Sequence, residues 1–461
     1  MKTDIVDKKM NNLLLQLNTK QIIIFGVGDF GEKSIHLLRE VGYEVTEIWD
    51  NNENKQGKNL MGIPVCSPRN CKDIVIIISV FNHIREIENQ LLELGYLKKD
   101  ILKYGDLDIF NILLREKEEK EIECLNPNTI QFPITYKCNF NCVMCGMHEL
   151  VYKEHMSLEQ MERVIIDALY LNVKTIGING GEPFLRNDLC EYIKTIIHLV
   201  PNIKQFNIIS NGFFTDKIIR DLLEIKKICE GKVYLNLSIS IDGIGKVQDQ
   251  HRGRNDAFYN AQKTIEIIKQ NISKYVDNLD VICTVTKNNI WRINEVVVWA
   301  EKMGINVNYN IASINKRINN YKKADDFLLQ NDELTKYMAA EFFYGQYLQT
   351  QRESYFAIYL YLLTGKRYAL CPYHKNEWTT ILPEGEIAFC PTRSNSLGNG
   401  LEMSPTQILQ EGKEYIEQIK EKYCESCSHY MYWLSSAGLR FLYEDRIKNS
   451  NMRYIGADYD N

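Results

Sequence analysis

Between residues 128 and 312 the chain repeats one pattern six times, a short β-rich run followed by an amphipathic helical stretch. The runs are IQFPITY, KTIGIN, KQFNIIS, YLNLSISI, LDVICTVT and INVNYN, with helical patterns such as SLEQMERVIIDALYL and AFYNAQKTIEIIKQN between them. Successive β/α units call for parallel strands, because the chain must cross back over the sheet before each new strand begins. Six in a row curve into a barrel or most of one, and in such barrels chemistry gathers at the C-terminal strand ends. The expected fold class is α/β, with a partial (β/α)6 TIM-type barrel at its centre.

The first strand end carries YKCNFNCVMCGM, residues 136–147, in which Cys138, Cys142 and Cys145 stand as Cys-x-x-x-Cys-x-x-Cys. Soft thiolates at this spacing can wrap three corners of an iron–sulfur cube. Zinc is the rival, since its finger spacings also fit. A closed tetrahedral site wants a fourth ligand, and close behind the loop only His148 offers one. If nothing closes the site, one iron stays open to a small molecule.

The features at later strand ends resemble a large family, the radical S-adenosylmethionine (SAM) enzymes. Cys138, Cys142 and Cys145 match its cluster signature, and Gly180-Gly181-Glu182-Pro183 matches its GGE motif. Asn211-Gly212 falls at the end of the third strand, and "SISIDG" (238–243) followed by "DQHRG" (249–253) matches a run seen in many members. The resemblance implies a SAM-binding [4Fe–4S] cluster whose open iron is chelated by the methionine amino and carboxylate groups. Glu182 would balance the ammonium and Arg252 would meet the carboxylate. Asn211 and Ser240 suit ribose hydroxyls, and Met144 would place its backbone near adenine. Gly180, Gly181 and Asp242 belong to the same set, although two glycines can simply make a tight turn and an aspartate can simply cap a helix. It further implies that one electron, from a donor such as flavodoxin or ferredoxin, cleaves SAM to a 5′-deoxyadenosyl radical that takes a hydrogen atom from substrate.

A second set of cysteines, Cys371, Cys390, Cys424 and Cys427, suffices to close a site. Its surroundings resemble the C-terminal extension called SPASM, or its shortened form, twitch. No cysteine follows Cys427, which points to the twitch form with one auxiliary [4Fe–4S] cluster in an electron-relay or structural role. Structural zinc is the alternative, because C-x-x-C suits zinc equally. Cys283, in the strand VICTVT, reads as a small buried hydrophobe or as a hydrogen-atom donor.

The N-terminal segment reads as a Rossmann-like unit. Strand QIIIF leads into Gly26-Val27-Gly28-Asp29-Phe30-Gly31, then an amphipathic helix, then a strand ending at Asp50. Gly26, Gly28 and Gly31 would allow the tight turn, the helix start would face a phosphate, and Asp50 would meet a ribose. A domain that only docks to the rest is the competing reading. The expected domains are residues 1–110 (Rossmann-like), 111–127 (charged linker helix), 128–312 (barrel), 313–370 (helical connector) and 371–461 (twitch or SPASM-like).

Net charge is slight, −5 from 55 basic and 60 acidic residues, so no general attraction to nucleic acid is implied. The N-terminus, MKTDIVDKKM, lacks an apolar h-region, and no membrane partner is expected. A cytoplasmic location follows, in which thirteen cysteines read better as metal ligands than as disulfides. The expected function is a radical SAM enzyme acting on a small molecule, a sugar or a nucleotide- or carrier-linked sugar. A peptide-modifying maturase is the alternative, and a non-catalytic zinc-binding scaffold is an alternative of another class.

Overall fold

A computed structural model describes residues 4–80, 83–120, 126–150 and 154–456, with side chains as far as residue 448. The chain divides into two compact units, Met1–Ile122 with Leu434–Asn461, and Glu123–Trp433.

The first unit is built on strands β1 (Gln21–Phe25), β2 (Val45–Trp49), β3 (Asn59–Leu60), β4 (Ile63–Cys66), β5 (Ile74–Ile78) and β6 (Ile101–Lys103), in the order β3-β4-β2-β1-β5-β6. Only the β3–β4 pair is antiparallel. The β5 run IVIII is buried throughout, as parallel strands covered on both faces require. Helix Asp29–Glu40 approaches closely because Gly31 has no side chain; a Cβ there would lie 2.2 Å from the Gly26 carbonyl oxygen. Residues 121–125 of the expected linker lie outside the described residues, and Phe110–Lys120 is helical. Helix Ser436–Gly456 packs on that helix, with Arg440 pairing both Asp7 and Glu116 and Arg446 pairing Asp108. The segment 371–461, read from sequence as one extension, is therefore divided: its last helix joins the first unit through these ion pairs.

The second unit holds the six repeats. Strands β7 (Thr129–Pro133), β8 (Thr175–Asn179), β9 (Gln205–Ser210), β10 (Tyr234–Ser240), β11 (Asn278–Val285) and β12 (Val307–Ile311) are successive parallel neighbours. This is the expected partial (β/α)6 barrel. On β11 the alternate residues Leu279, Val281, Cys283 and Val285 are buried, whereas Asp280, Ile282 and Thr284 border an interior cavity. The cysteine-rich segment extends the same sheet. Strand β13 (Trp378–Ile381) pairs parallel with β7, and β14 (Glu386–Ala388) and β15 (Ser396–Asn399) continue antiparallel. Before them, helices Glu333–Thr350 and Glu353–Thr364 pack on one another through aromatic contacts such as Tyr347–Phe356 and Tyr344–Tyr359.

Candidate functional site

A cavity of about 720 Å³ opens within the second unit, and Cys138, Cys142 and Cys145 all border it. The loop that carries them is held by backbone. Gly181 N–H donates to the Thr135 carbonyl at 2.7 Å and Glu182 N–H to the Lys137 carbonyl at 2.9 Å. Such close approach needs glycine: a Cβ on Gly180 would lie 2.4 Å from Thr135 O, and one on Gly181 2.1 Å from Lys137 O. Gly180 also sits at φ +133°, which side chains disfavour. The far side of the loop is fixed by Gly146 N–H to the Ile318 carbonyl and by Asn320, whose Nδ2 donates to the Met144 carbonyl at 2.9 Å. Burial pushes the thiols up, Cys138 to about 12 and Cys142 to about 11. Metal binding is what ionises such buried thiols.

The remaining residues of the expected SAM set divide into two groups. Met144, Gly180, Gly181, Asn211, Ser240 and Arg252 border the cavity. Glu182 and Asp242, 1% and 0% exposed, stand behind it. The Glu182 carboxylate accepts from Phe184 N–H (3.2 Å), Ser210 Oγ (2.9 Å) and Asn211 N–H (2.7 Å), and burial outweighs these donors to push its pKa up to about 7. Burial alone would raise Asp242 as well, but the Arg252 and His251 charges hold it below the ordinary range. His251 Nδ1 lies 2.8 Å from Asp242 Oδ2, Thr284 N–H donates to Oδ1, and Arg252 Nε lies 2.7 Å from Oδ2. That last contact is ionic, since the N–H axis misses the oxygen and leaves Nε without a hydrogen bond. Arg252 Nη1 reaches 3.9 Å from Cys142 Sγ. Asp242 thus clamps Arg252 against the cysteine loop. Cys283 is fully buried on the β11 face turned away from the cavity.

Residues 132–297 match the family model described as the Radical SAM superfamily. That segment is a radical SAM domain. Residues 18–102 match a second model, C2185-like, N-terminal. Among curated relatives, a probable GTP 3′,8-cyclase of Methanococcus aeolicus is 26% identical over 194 residues, 40% of this chain and 60% of that protein. Another, from Methanocaldococcus jannaschii, is 31% identical over 111 residues, 24% of this chain and 35% of that one. The chain therefore spans less than two thirds of the length of these relatives. A solved structure of Streptococcus suis SuiB bound to precursor peptide SuiA aligns over 76% of this chain and 88% of that one, at 17% identity and TM-score 0.46.

The radical SAM cofactors, SAM and a [4Fe–4S] cluster, fit what the cavity presents. Three thiols leave one corner of a cube open, and the cavity wall offers a polar group without a partner, Arg317 Nη1. The second cysteine set also converges. Cys371, Cys390, Cys424 and Cys427 border one small cavity with Tyr373, Phe389, Ile419 and Tyr423. Burial first, and then the three neighbouring thiols, push Cys424 up to about 12. Arg367 frames this cavity, donating to the carbonyls of Ala369, Leu370, Cys427, His429 and Tyr430. Among the described residues no three His, Cys, Asp or Glu side chains converge on a single-ion position.

Sequence reasoning missed Asn320 and Arg367. Asn320 lies in a loop with no motif to mark it. Arg367 could have been suspected from its position four residues before Cys371.

In the first unit Gly31 packs against Gly26 and Asp50 reaches the same turn, but Asp50 is already engaged. Its Oδ2 accepts from Val27 N–H (3.1 Å) and Lys55 Nζ (3.2 Å), and its Oδ1 from Asn52 N–H (2.8 Å). Among the described residues no helix is long and apolar enough to cross a membrane.

Proposed function

We propose that the protein is a radical SAM enzyme that reductively cleaves SAM and abstracts a hydrogen atom from a sugar or a nucleotide- or carrier-linked sugar. One observation carries the reading: three cysteines in the loop after β7 border the same cavity as Gly180, Gly181, Asn211 and Ser240, which lie on or just after other strand ends, and as Arg252 at the end of helix Lys246–Arg252. When bound, the cluster supplies an electron and SAM supplies the group that takes the hydrogen atom. The chain's own residues hold and orient these groups. Asp242 keeps the Arg252 guanidinium over Cys142, where its charge offsets that of a thiolate-bound cluster. Asn211 and Ser240 offer hydroxyl partners, and the loop from Tyr136 to Met147 is pinned from both sides so that the thiols stay in register. Cys371, Cys390, Cys424 and Cys427 would hold an auxiliary [4Fe–4S] cluster. A flavodoxin or ferredoxin would deliver the electron.

The sugar reading is favoured by a cavity lining rich in amide and hydroxyl side chains. The relatives' name, GTP 3′,8-cyclase, also denotes a ribose-bearing substrate. The test is anaerobic incubation of the reduced, cluster-loaded protein with SAM in deuterated buffer, against nucleotide sugars and against peptides. Substrate-dependent 5′-deoxyadenosine and a sugar of changed mass are expected. Absence of SAM cleavage would overturn the proposal, and a mass change in a peptide alone would replace the substrate class.

A further inference from the structure

A packed parallel barrel fills its interior with layers of branched apolar side chains. This one does not. Gln131, Gly177, Asn207 and Asn236 pair in direct register across β7, β8, β9 and β10, and all four border the cavity. One layer nearer the cysteine loop, Ile209, Ser238 and Asp280 are paired across β9, β10 and β11, and Asn179 at the end of β8 also lines the cavity. Two consecutive layers of the barrel floor are thus mostly amide, hydroxyl and carboxylate.

Some of these groups satisfy one another. Asn179 Nδ2 donates to Gln131 Oε1 (3.2 Å), Gln205 Nε2 to Asn207 Oδ1 (2.7 Å), and Asn278 Nδ2 to Asn236 Oδ1 (2.6 Å). Two fall short. Asn179 Oδ1 and Asp280 Oδ1 are buried acceptors without a well-aligned donor, although Ser238, Asn236 and Asn308 lie against the Asp280 carboxylate and Asn278 Nδ2 donates to its Oδ2 (3.4 Å); the two stand on opposite flanks of the same cavity with β9 and β10 between them. An unpaired buried polar atom is destabilising, so such positions are normally met by water or ligand. Small-molecule pockets are usually apolar with few polar groups. A floor this polar would desolvate an apolar side chain's surroundings for no return. It suits a neutral ligand with many hydroxyls, each able to donate and accept.

We propose that this floor is a polyol subsite, in which Asp280 and Asn179 accept from hydroxyls of the substrate's sugar ring while Ser238 and Asn236 offer the complementary contacts. The proposal rests on the radical SAM reading for its place in catalysis and deepens it. Asp280 is two residues below Ile282, the register partner of Ser240, so the ring would lie one side-chain layer, roughly 7 Å, beneath the ribose-contacting position. The sugar, and not the carrier or nucleotide end, enters the barrel.

The experiment is calorimetry on the anaerobic, cluster-loaded protein with SAM, using UDP-glucose, UDP-galactose, UDP-N-acetylglucosamine, glucose, myo-inositol and UDP as probes. At least one sugar or polyol should bind in the millimolar range or tighter, with UDP alone weaker than its conjugates. Asp280→Asn and, as a second variant, Asn236→Ser should each weaken that sugar about tenfold or more, as expected for lost hydrogen bonds to a charged or buried partner. SAM affinity in the same preparations reports folding. No binding by any hydroxylated probe while SAM binds, or sugar binding indifferent to both variants, would overturn the subsite. Loss of SAM cleavage in the unaltered protein would instead overturn the parent reading, and sugar binding would still be measurable.

Discussion

Arg367 uses every donor it has. A guanidinium carries five N–H groups, and here Nε donates to Ala369 O (2.7 Å), Nη1 to Cys427 O (3.1 Å) and His429 O (2.6 Å), and Nη2 to Leu370 O (2.7 Å) and Tyr430 O (2.7 Å). Those carbonyls come from two segments, 369–370, which runs directly into Cys371, and 427–430, which begins with Cys427. Replacing Arg367 with Met should therefore release the two segments from one another. A hydrogen bond from a charged donor is worth about 1.5–3 kcal/mol net, but these are half-buried and share one side chain. Rehydration of the freed carbonyls should limit the loss to about 3–5 kcal/mol, well below a simple sum. Lys offers a point charge and three donors without the planar fork, so Arg367→Lys should recover less than half of it.

The assay is iron content and urea unfolding after anaerobic reconstitution. Two cubane clusters hold about eight irons. Arg367→Met should fall to about four and still cleave SAM slowly without substrate, because the first cysteine set is untouched. Full iron with unchanged unfolding would show that the second cysteine loop is held by something else, and the hub reading of Arg367 would fail.

Four further outcomes follow from other contacts. Replacing Cys138, Cys142 and Cys145 together with Ala should leave about four irons per chain and abolish SAM cleavage, as read by 5′-deoxyadenosine. Gly181→Ala should cost at least about 2 kcal/mol in urea unfolding and impair loading of the first cluster, since the Lys137 carbonyl 2.1 Å from the new Cβ would have to move by nearly an ångström. Gly28→Ala is the matched control and should be neutral, because its Cβ would meet nothing within 4 Å. In the apoprotein Glu182, raised by burial to about 7, contributes stability that is present below about pH 4.5 and lost as pH rises through 7. Stability measured against Glu182→Gln should therefore decline by about 3 kcal/mol between pH 4.5 and 8, and a flat difference would refute the burial argument.

The barrel was legible because periodicity is a backbone property. Six runs with the same strand–helix rhythm leave few topologies, and all six became adjacent parallel strands. The cysteine sets were legible because thiol spacing shows in the sequence whatever surrounds it. What sequence could not convey is which side of a wall a residue occupies. Glu182 and Arg252 sit in equally suggestive motifs, yet Arg252 borders the cavity and Glu182 is sealed behind two glycines by Ser210 and Asn211. Cys283 fails as a visible donor by one residue of strand alternation, since Ile282 and Thr284 take the inward places. The amide floor was hidden for the same reason. Asn207 and Asn236 read as interruptions of apolar strands until register places them side by side.

The glycine-rich turn of the first unit shows how a motif can be complete in sequence and spent in structure. Gly26 and Gly31 do what the fingerprint requires: one adopts φ +122° and the other admits the helix to within contact of the turn. The fingerprint also needs a free loop N–H for phosphate and a free acid for ribose. Here each satisfies the other, with Asp50 Oδ2 bound to Val27 N–H and neutralised by Lys55 Nζ, which also donates to the Val27 carbonyl. A nucleotide would have to displace that carboxylate from both partners before its own phosphate gained either. Asp50→Ala would free the Val27 N–H and Lys55 together. If the turn is a phosphate site held shut, the variant should bind ATP or UDP-glucose more tightly than the unaltered protein despite losing about 1–3 kcal/mol of stability. If it binds neither, the turn is structural, and the glycines serve only the approach of helix Asp29–Glu40 to β1.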